Sequence, residues 1–199
     1  MAAVRSAARL AVASRADNRL PLILDAAARF FAEKGFGFTS MRDIAGMAGM
    51  LPGSLYYHFA SKEELLVAVY AEGVRRIKAA VAPALAKAGD PWARLENVCA
   101  AHLEGLLEDS DYGQVVIRVR PDDAPEVAAR LVALRDEYER TFAQAIQALP
   151  LPSRTDRRAL KLMLLGALNW SQTWYRSGKD SPQTLARRFV RLLRDPLDA

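Results

Sequence analysis

The side chains in this chain best suited to chemistry are gathered in one short segment, where Ser40, Arg42, Gly53, Ser54, Tyr56, Tyr57, His58 and Lys62 follow one another closely. Hydroxyls, cations and aromatic rings with polar tips donate to phosphate oxygens and meet base edges, so the chemistry they suggest is recognition of a duplex. Catalysis has no comparable support. No nucleophile is paired with a base, and no two carboxylates lie close together in an apolar setting.

The elements that must position these residues are announced by local signals. Ser40 precedes an apolar-periodic run and Asp43 stands three residues later, so side chain and backbone can cap each other and start a helix near Met41. Met41, Ile44, Ala45 and Ala48 give that helix one buried stripe, and Gly49 stands where a left-handed residue would stop it. Pro52 suits the first turn of a second helix, and two helices joined so tightly make a helix-turn-helix. On the second helix Leu55 and Phe59 share the core side, which turns Gly53, Ser54 and Tyr57 outward, with Tyr56 and His58 flanking them. Ser61 and Glu64 form a second capping box. Lys62 then sits in the first turn of the next helix, where a cation opposes the helix dipole by about 0.3–1 kcal/mol unless a phosphate docks there. Upstream, Ile23, Ala26, Ala27, Phe30 and Phe31 mark a supporting helix.

The strings ILDAAARFFAEKGF, TSMRDIAGMAG, GSLYYHF and SKEELL, spanning Ile23 to about Leu66, resemble the TetR family of transcriptional regulators. The resemblance implies phosphate contacts from Ser40, Arg42, Tyr56, His58 and Lys62, and base readout from the start of the second helix. One departure stands out. Where the family usually carries Val-Ser before that helix, this chain has Met50-Leu51, which removes the usual hydroxyl cap.

The chain has 199 residues, half of them hydrophobic, enough for a substantial core. Net charge is +5, and residues 1–62 hold eight Lys/Arg against four Asp/Glu while the remainder holds 20 against 19. A basic excess beside the helix-turn-helix is the footprint of phosphate binding, though a merely soluble surface can show it too. Residues 1–19, rich in Ala and Arg, read as a basic arm able to touch the minor groove, as a functionless tail, or as a composition resembling a transit peptide. No uninterrupted apolar run reaches membrane-spanning length, which points to a cytoplasmic protein without a membrane partner. Cys99 is the single cysteine, so an intrachain disulfide is impossible. Cys99 and His102 share a helix turn but offer little material for zinc, so no metal and no cofactor are expected, and both read better as interior residues. Asn169-Trp170-Ser171 matches a glycosylation acceptor by chance, and Gly35-Phe36-Gly37 is a helix stop.

Downstream the chain reads as all-α: one helix from Lys62 to about Ala88, bent or ended by Pro83, then helices near 91–108, 125–148, 155–177 and 182–194. Gln114 to Val119 has strand-like composition but no partner, so it reads as a short helix. The expected organisation is a basic arm (1–19), a three-helix DNA-binding domain (20–65) and a helical bundle for ligand binding and dimerisation (66–199). From Leu160 to Tyr175 the helix is apolar nearly all round, with Met163, Ala167, Trp170 and Trp174 on one stripe, facing a cavity, a second subunit or simply the core. The pocket candidates are Met163, Asn169, Trp170 and Trp174, facing Cys99, His102, Leu103, Leu106, Val116, Ile117, Tyr138 and Phe142, an apolar set with few polar groups. The last helix carries Leu185, Phe189, Leu192 and Leu193 with four arginines alongside. Family resemblance implies that the final two helices pair with their copies in a homodimer.

The strings GQVVI, NWSQTWYRSG and SPQTLARRF are similar to TetR regulators that answer acyl-CoA thioesters; Trp170 and Trp174 would then border the acyl group, with Arg118, Arg120 or Arg176 near phosphate. A neutral lipophilic effector would fit the same lining. The expected function is therefore a homodimeric repressor that leaves a palindromic double-stranded operator when a small effector binds. Two rivals stay open, a sequence-indifferent DNA-packaging protein and a helical carrier or enzyme acting on the cavity ligand.

Overall fold

The computed structural model describes residues 19–86, 89–107 and 110–195, and every regular element among them is helical. Of the basic arm, residues 1–18 lie outside the described residues.

Helix α1 (Leu20–Lys34) buries Ile23, Ala26, Ala27, Ala28 and Phe31 along one stripe, with Phe30 only half-buried at its edge. It stops at Gly35, whose φ of 86° suits a residue without a Cβ, and the Gly35 N–H closes the last turn on the Phe31 carbonyl. Helix α2 (Met41–Met47) opens with both halves of the expected capping box. The Asp43 N–H donates to Ser40 Oγ at 3.2 Å, and the Ser40 N–H donates to Asp43 Oδ2 at 3.3 Å. At its far end Gly49 is left-handed (φ 65°); the Gly49 N–H reaches the Gly46 carbonyl and the Met50 N–H reaches Ala45, the paired bonds that satisfy the last carbonyls of a helix. Helix α3 (Pro52–His58) follows at once. Its anchor is Leu55, fully buried.

Helix α4 (Lys62–Ala86) continues from the head into the body, and its buried residues wrap well round the cylinder because α1, α5, α6 and α7 pack on different sides of it. Pro83 lies inside it and does not end it. The helix runs three residues beyond, because a proline so near the terminus removes one hydrogen bond where fraying has little left to lose, while buried Val81 holds the turn in place.

The body adds α5 (Pro91–Leu107), α6 (Asp111–Arg118), two 3₁₀ turns (Pro121–Asp123 and Pro125–Val127), α7 (Ala128–Gln147), α8 (Arg157–Trp174) and α9 (Pro182–Arg194). Starts are fixed by side-chain caps: Asp156 accepts from the Arg158 and Ala159 N–H groups, and Ser181 from Thr184. The strand-like run is indeed helical. Capped by Ser110, α6 lies against both α1 and α4, and Gly73 of α4 is the reason it can come so close. A Cβ at Gly73 would fall 2.7 Å from Val116 Cγ2 and 2.9 Å from the Tyr112 carbonyl oxygen. α9 packs on α5, and one continuous core joins head and body.

Candidate nucleic-acid interface and internal cavity

In the head, the anchoring of Leu55 decides what is left outside. Tyr57 is 83% exposed, Gly53 and Tyr56 are exposed, and Ser54 and His58 are half-buried, so the candidate reading face is open to solvent. The Tyr57 and His58 rings meet edge to face with centroids 5.9 Å apart. Ser40 and Arg42, at the start of α2, are exposed as well. All of these candidate contacts therefore lie on one hairpin.

Lys62 requires a correction. Its Nζ donates to the carbonyls of Phe36 (2.8 Å) and Thr39 (3.0 Å) and sits 4.3 Å from the Phe36 ring centroid. Two of its three donors hold the α1–α2 turn, so its charge clamps the head to α4 rather than standing free for a phosphate. Glu64 also departs from expectation. Ser61 Oγ accepts from the Glu64 N–H at 3.2 Å, but the Glu64 carboxylate turns away from the cap to pair with Arg130 of α7 at 2.5 Å.

The body holds a cavity of about 190 Å³ between α4, α5, α6, α7 and α8. His102, Leu106, Val116, Ile117, Tyr138 and Asn169 line it, as their sequence pattern suggests. Cys99, Leu103 and Phe142 are fully buried but lie behind the lining, and the rings of His102 and Tyr138 rest edge-on against Phe142. Burial pushes the Cys99 thiol far above its ordinary pKa, which leaves it inert packing. Met163, Trp170 and Trp174 are displaced outright. Their side of α8 faces away from the cavity, with Trp170 67% exposed, while Leu160, Leu164, Leu165 and Leu168 of the opposite side are buried. A helix apolar nearly all round could be buried on either side, and periodicity could not choose between them.

Sequence reasoning also missed lining residues, among them Tyr70 on α4, Leu165 on α8 and Leu131, Arg135 and Glu139 on α7. Leu131, Arg135, Tyr138, Glu139 and Phe142 recur at helical spacing, a stripe that was legible but interrupted by charge. Those charges are paired: Glu139 bonds Lys161 at 2.7 Å and lies 3.7 Å from Arg135. Arg120 borders the cavity while remaining exposed; Arg118 and Arg176 are exposed and outside the lining.

Three helices meet in a polar relay across this cavity. His102 is 3% exposed, its Nδ1 lying 2.5 Å from the Tyr138 hydroxyl and its Nε2 3.0 Å from Asn169 Oδ1. Burial drives the His102 pKa down to about 4, the bond to Asn169 opposing this, so the ring is neutral near pH 7. The tautomer follows from its partners. Nε2–H donates to the Asn169 oxygen and Nδ1 accepts the Tyr138 proton, which burial makes hard to ionise. Among the described residues no group of side chains is arranged to hold a metal ion.

Cavity and head share α6. Val116 and Ile117 line the cavity, while Tyr112, one turn earlier, donates to Asp25 Oδ1 of α1 at 2.8 Å and lies under the Arg76 guanidinium, 3.9 Å from its ring centroid.

Among the described residues no helix is long and apolar enough to cross a membrane. The family described as "Bacterial regulatory proteins, tetR family" matches residues 23–69, and "Tetracyclin repressor-like, C-terminal domain" matches residues 88–197. The HTH-type transcriptional repressor KstR2 of Rhodococcus jostii is 30% identical, over 88% of this chain and 89% of that protein. KstR2 of Mycobacterium tuberculosis is 35% identical over 119 residues, 60% of this chain and only 58% of that protein's length. A TetR-family transcriptional regulator from Bordetella parapertussis superposes with a TM-score of 0.73 at 29% identity, covering 87% of this chain and 92% of that one. With both halves matched and the exposed hairpin in place, the chain belongs to the tetR family of bacterial regulatory proteins.

Proposed function

We propose that this chain is a homodimeric cytoplasmic repressor, released from a palindromic operator when a small apolar or acyl-CoA-type effector fills the cavity. Residues 20–65 form its DNA-binding domain and 66–199 its ligand-binding and dimerisation domain. The observation that carries the reading is the double attachment of α6, which lines the cavity with Val116 and Ile117 and holds α1 through Tyr112 and Asp25. A ligand that displaces α6 must move the head, because the close approach at Gly73 leaves no slack between α6 and α4.

The effector's chemistry follows from the lining. Leu106, Val116, Ile117, Leu131 and Leu165 suit an apolar tail, and Arg120 and Arg135, both partly in water, suit an anionic end. The tryptophans take another role. Leu162, Met163, Trp170 and Trp174 of α8, with Leu192 of α9, form an exposed apolar strip on adjoining helices, and Trp174 meets the half-buried ring of Phe189 edge-on. An apolar strip on the last two helices supports their pairing with a second copy.

Two half-sites one helical turn apart require recognition helices about 34–36 Å apart, so a displacement of a few ångströms breaks simultaneous engagement. Coupling of about 1–3 kcal/mol changes DNA affinity roughly 5- to 150-fold. The test titrates a labelled palindromic duplex, selected from random sequence, with CoA thioesters, free CoA and neutral lipophilic compounds. A compound that demonstrably occupies the cavity and leaves operator affinity unmoved rejects the switch.

A further inference from the structure

We propose that Leu51 reads the 5-methyl group of thymine in the operator. The proposal deepens the regulator reading and rests on it.

Leu51 precedes α3 in extended backbone, and its side chain is 75% exposed. Its side chain makes no capping hydrogen bond; Pro52 has no N–H to donate, and the Ser54 N–H donates at 2.9 Å to the Leu51 carbonyl instead. The leucine side chain thus caps nothing and stands mostly in water. Met47, the last residue of α2 and also exposed, extends the apolar surface to the other side of the same turn.

Gly53 supplies an independent observation. Its φ is not left-handed, and a Cβ built on it would meet nothing within 4 Å, so neither backbone nor neighbours require glycine. The gap it leaves lies two residues from Leu51, on the exposed side of α3, where a base-pair edge can approach the backbone.

The neighbours identify the occupant. Exposed Ser40, Arg42 and Tyr57 and half-buried His58, on the same two-helix hairpin, carry phosphate- and base-seeking groups, unlike the apolar strip on α8 and α9 suited to a second copy. In the major groove the one apolar feature of a base edge is the thymine methyl, and an aliphatic side chain beside it recognises that methyl by burying it.

The experiment uses the full chain and a selected palindromic operator in which each thymine is replaced singly by uracil, removing only the methyl. Wild-type affinity should fall about fourfold for one contacted methyl and about fifteenfold when both half-sites are changed, the effect of burying one methyl-sized group per half-site. Leu51→Ala and Leu51→Ser should bind the thymine operator correspondingly more weakly and lose the uracil effect at that position, although serine restores a capping hydroxyl. Leu51→Met should keep it. With Leu51 outside the core, circular dichroism of each variant should match wild type. Sequence-specific binding with no uracil effect at any position, or a uracil effect undiminished in Leu51→Ala, overturns the proposal while leaving the regulator reading intact. Equal affinity for operator and random duplex overturns both.

Discussion

The head and the body are made of the same material, short helices with apolar stripes, yet they hold their functional side chains in opposite ways. In the head, the buried side of each helix, with Ile44 on α2 and Leu55 on α3, turns the polar side outward and leaves Tyr57 and Arg42 bare. In the body the working groups point inward, and His102 is nearly as buried as the leucines around it. A head site needs only correct local geometry. A cavity site needs five helices to agree on what faces their common space, so it is coupled to global packing and is sensitive to volume and charge.

Truncation on each side should break the comparison most sharply. Phe142→Ala removes the ring behind the His102–Tyr138 pair and should destabilise the protein by about 3–5 kcal/mol, while operator affinity below the melting transition changes little. Leu55→Ala should cost about 2–5 kcal/mol and also abolish specific binding, because nothing else anchors α3 as deeply. Chemical denaturation beside a binding isotherm reads both. Loss of DNA binding in a folded Phe142→Ala protein would contradict the division.

Acid should separate the regions next. The folded pKa of His102, about 4, lies below its ordinary 6.5, so the unfolded chain binds the extra proton between these values. The stability contributed by keeping this ring neutral is complete above pH 6.5 and declines as pH falls toward 4, by at most about 3 kcal/mol. His102→Gln, which keeps hydrogen-bonding capacity without a titrating ring, should flatten that slope. An unchanged slope would place the acid sensitivity elsewhere.

The same contrast explains what was legible in the sequence. Capping pairs, stop glycines and stripe spacing are written within four residues of the atoms they control, so Ser40–Asp43, Gly49 and the inward Leu55 could be read directly. The side of α8 that meets the cavity is a tertiary matter, and Trp170 and Trp174 fell on the other side. Lys62 fails for a related reason. Its partners are the carbonyls of Phe36 and Thr39, which sequence marks only as turn residues, so a clamp reads as a free charge. The tie from Tyr112 to Asp25 joins positions 87 residues apart and left no local signal.

Two smaller changes sharpen the link between the regions. Gly73→Ala places a Cβ against Val116 and the Tyr112 carbonyl, and pushing α6 away should cost about 1–3 kcal/mol. Its telling effect should be on coupling: a ligand still binds but shifts operator affinity far less than in wild type, as calorimetry beside a DNA titration would record. Lys62→Ala loses the clamp on the α1–α2 turn and should lower stability by about 1–2 kcal/mol, leaving the salt dependence of DNA binding nearly unchanged. A salt slope reduced by about one would return Lys62 to the phosphate contacts.

The smallest effect has the opposite sign on stability and function. At Gly53 the backbone is not left-handed and the space around a built Cβ is empty, so alanine can be accommodated without strain. Alanine also restricts the unfolded chain and forms helix more readily, so Gly53→Ala should raise stability by up to about 1 kcal/mol. If a base edge must come close to this backbone, the added methyl stands in its way, and specific affinity should fall about tenfold, equivalent to about 1.4 kcal/mol. Most surface substitutions move neither quantity by much, so opposed movements of both are diagnostic of a site kept bare for a partner. Melting curves and operator titrations on this one variant would decide it: a more stable protein that binds as well as wild type would mean that the duplex never approaches α3 at this point.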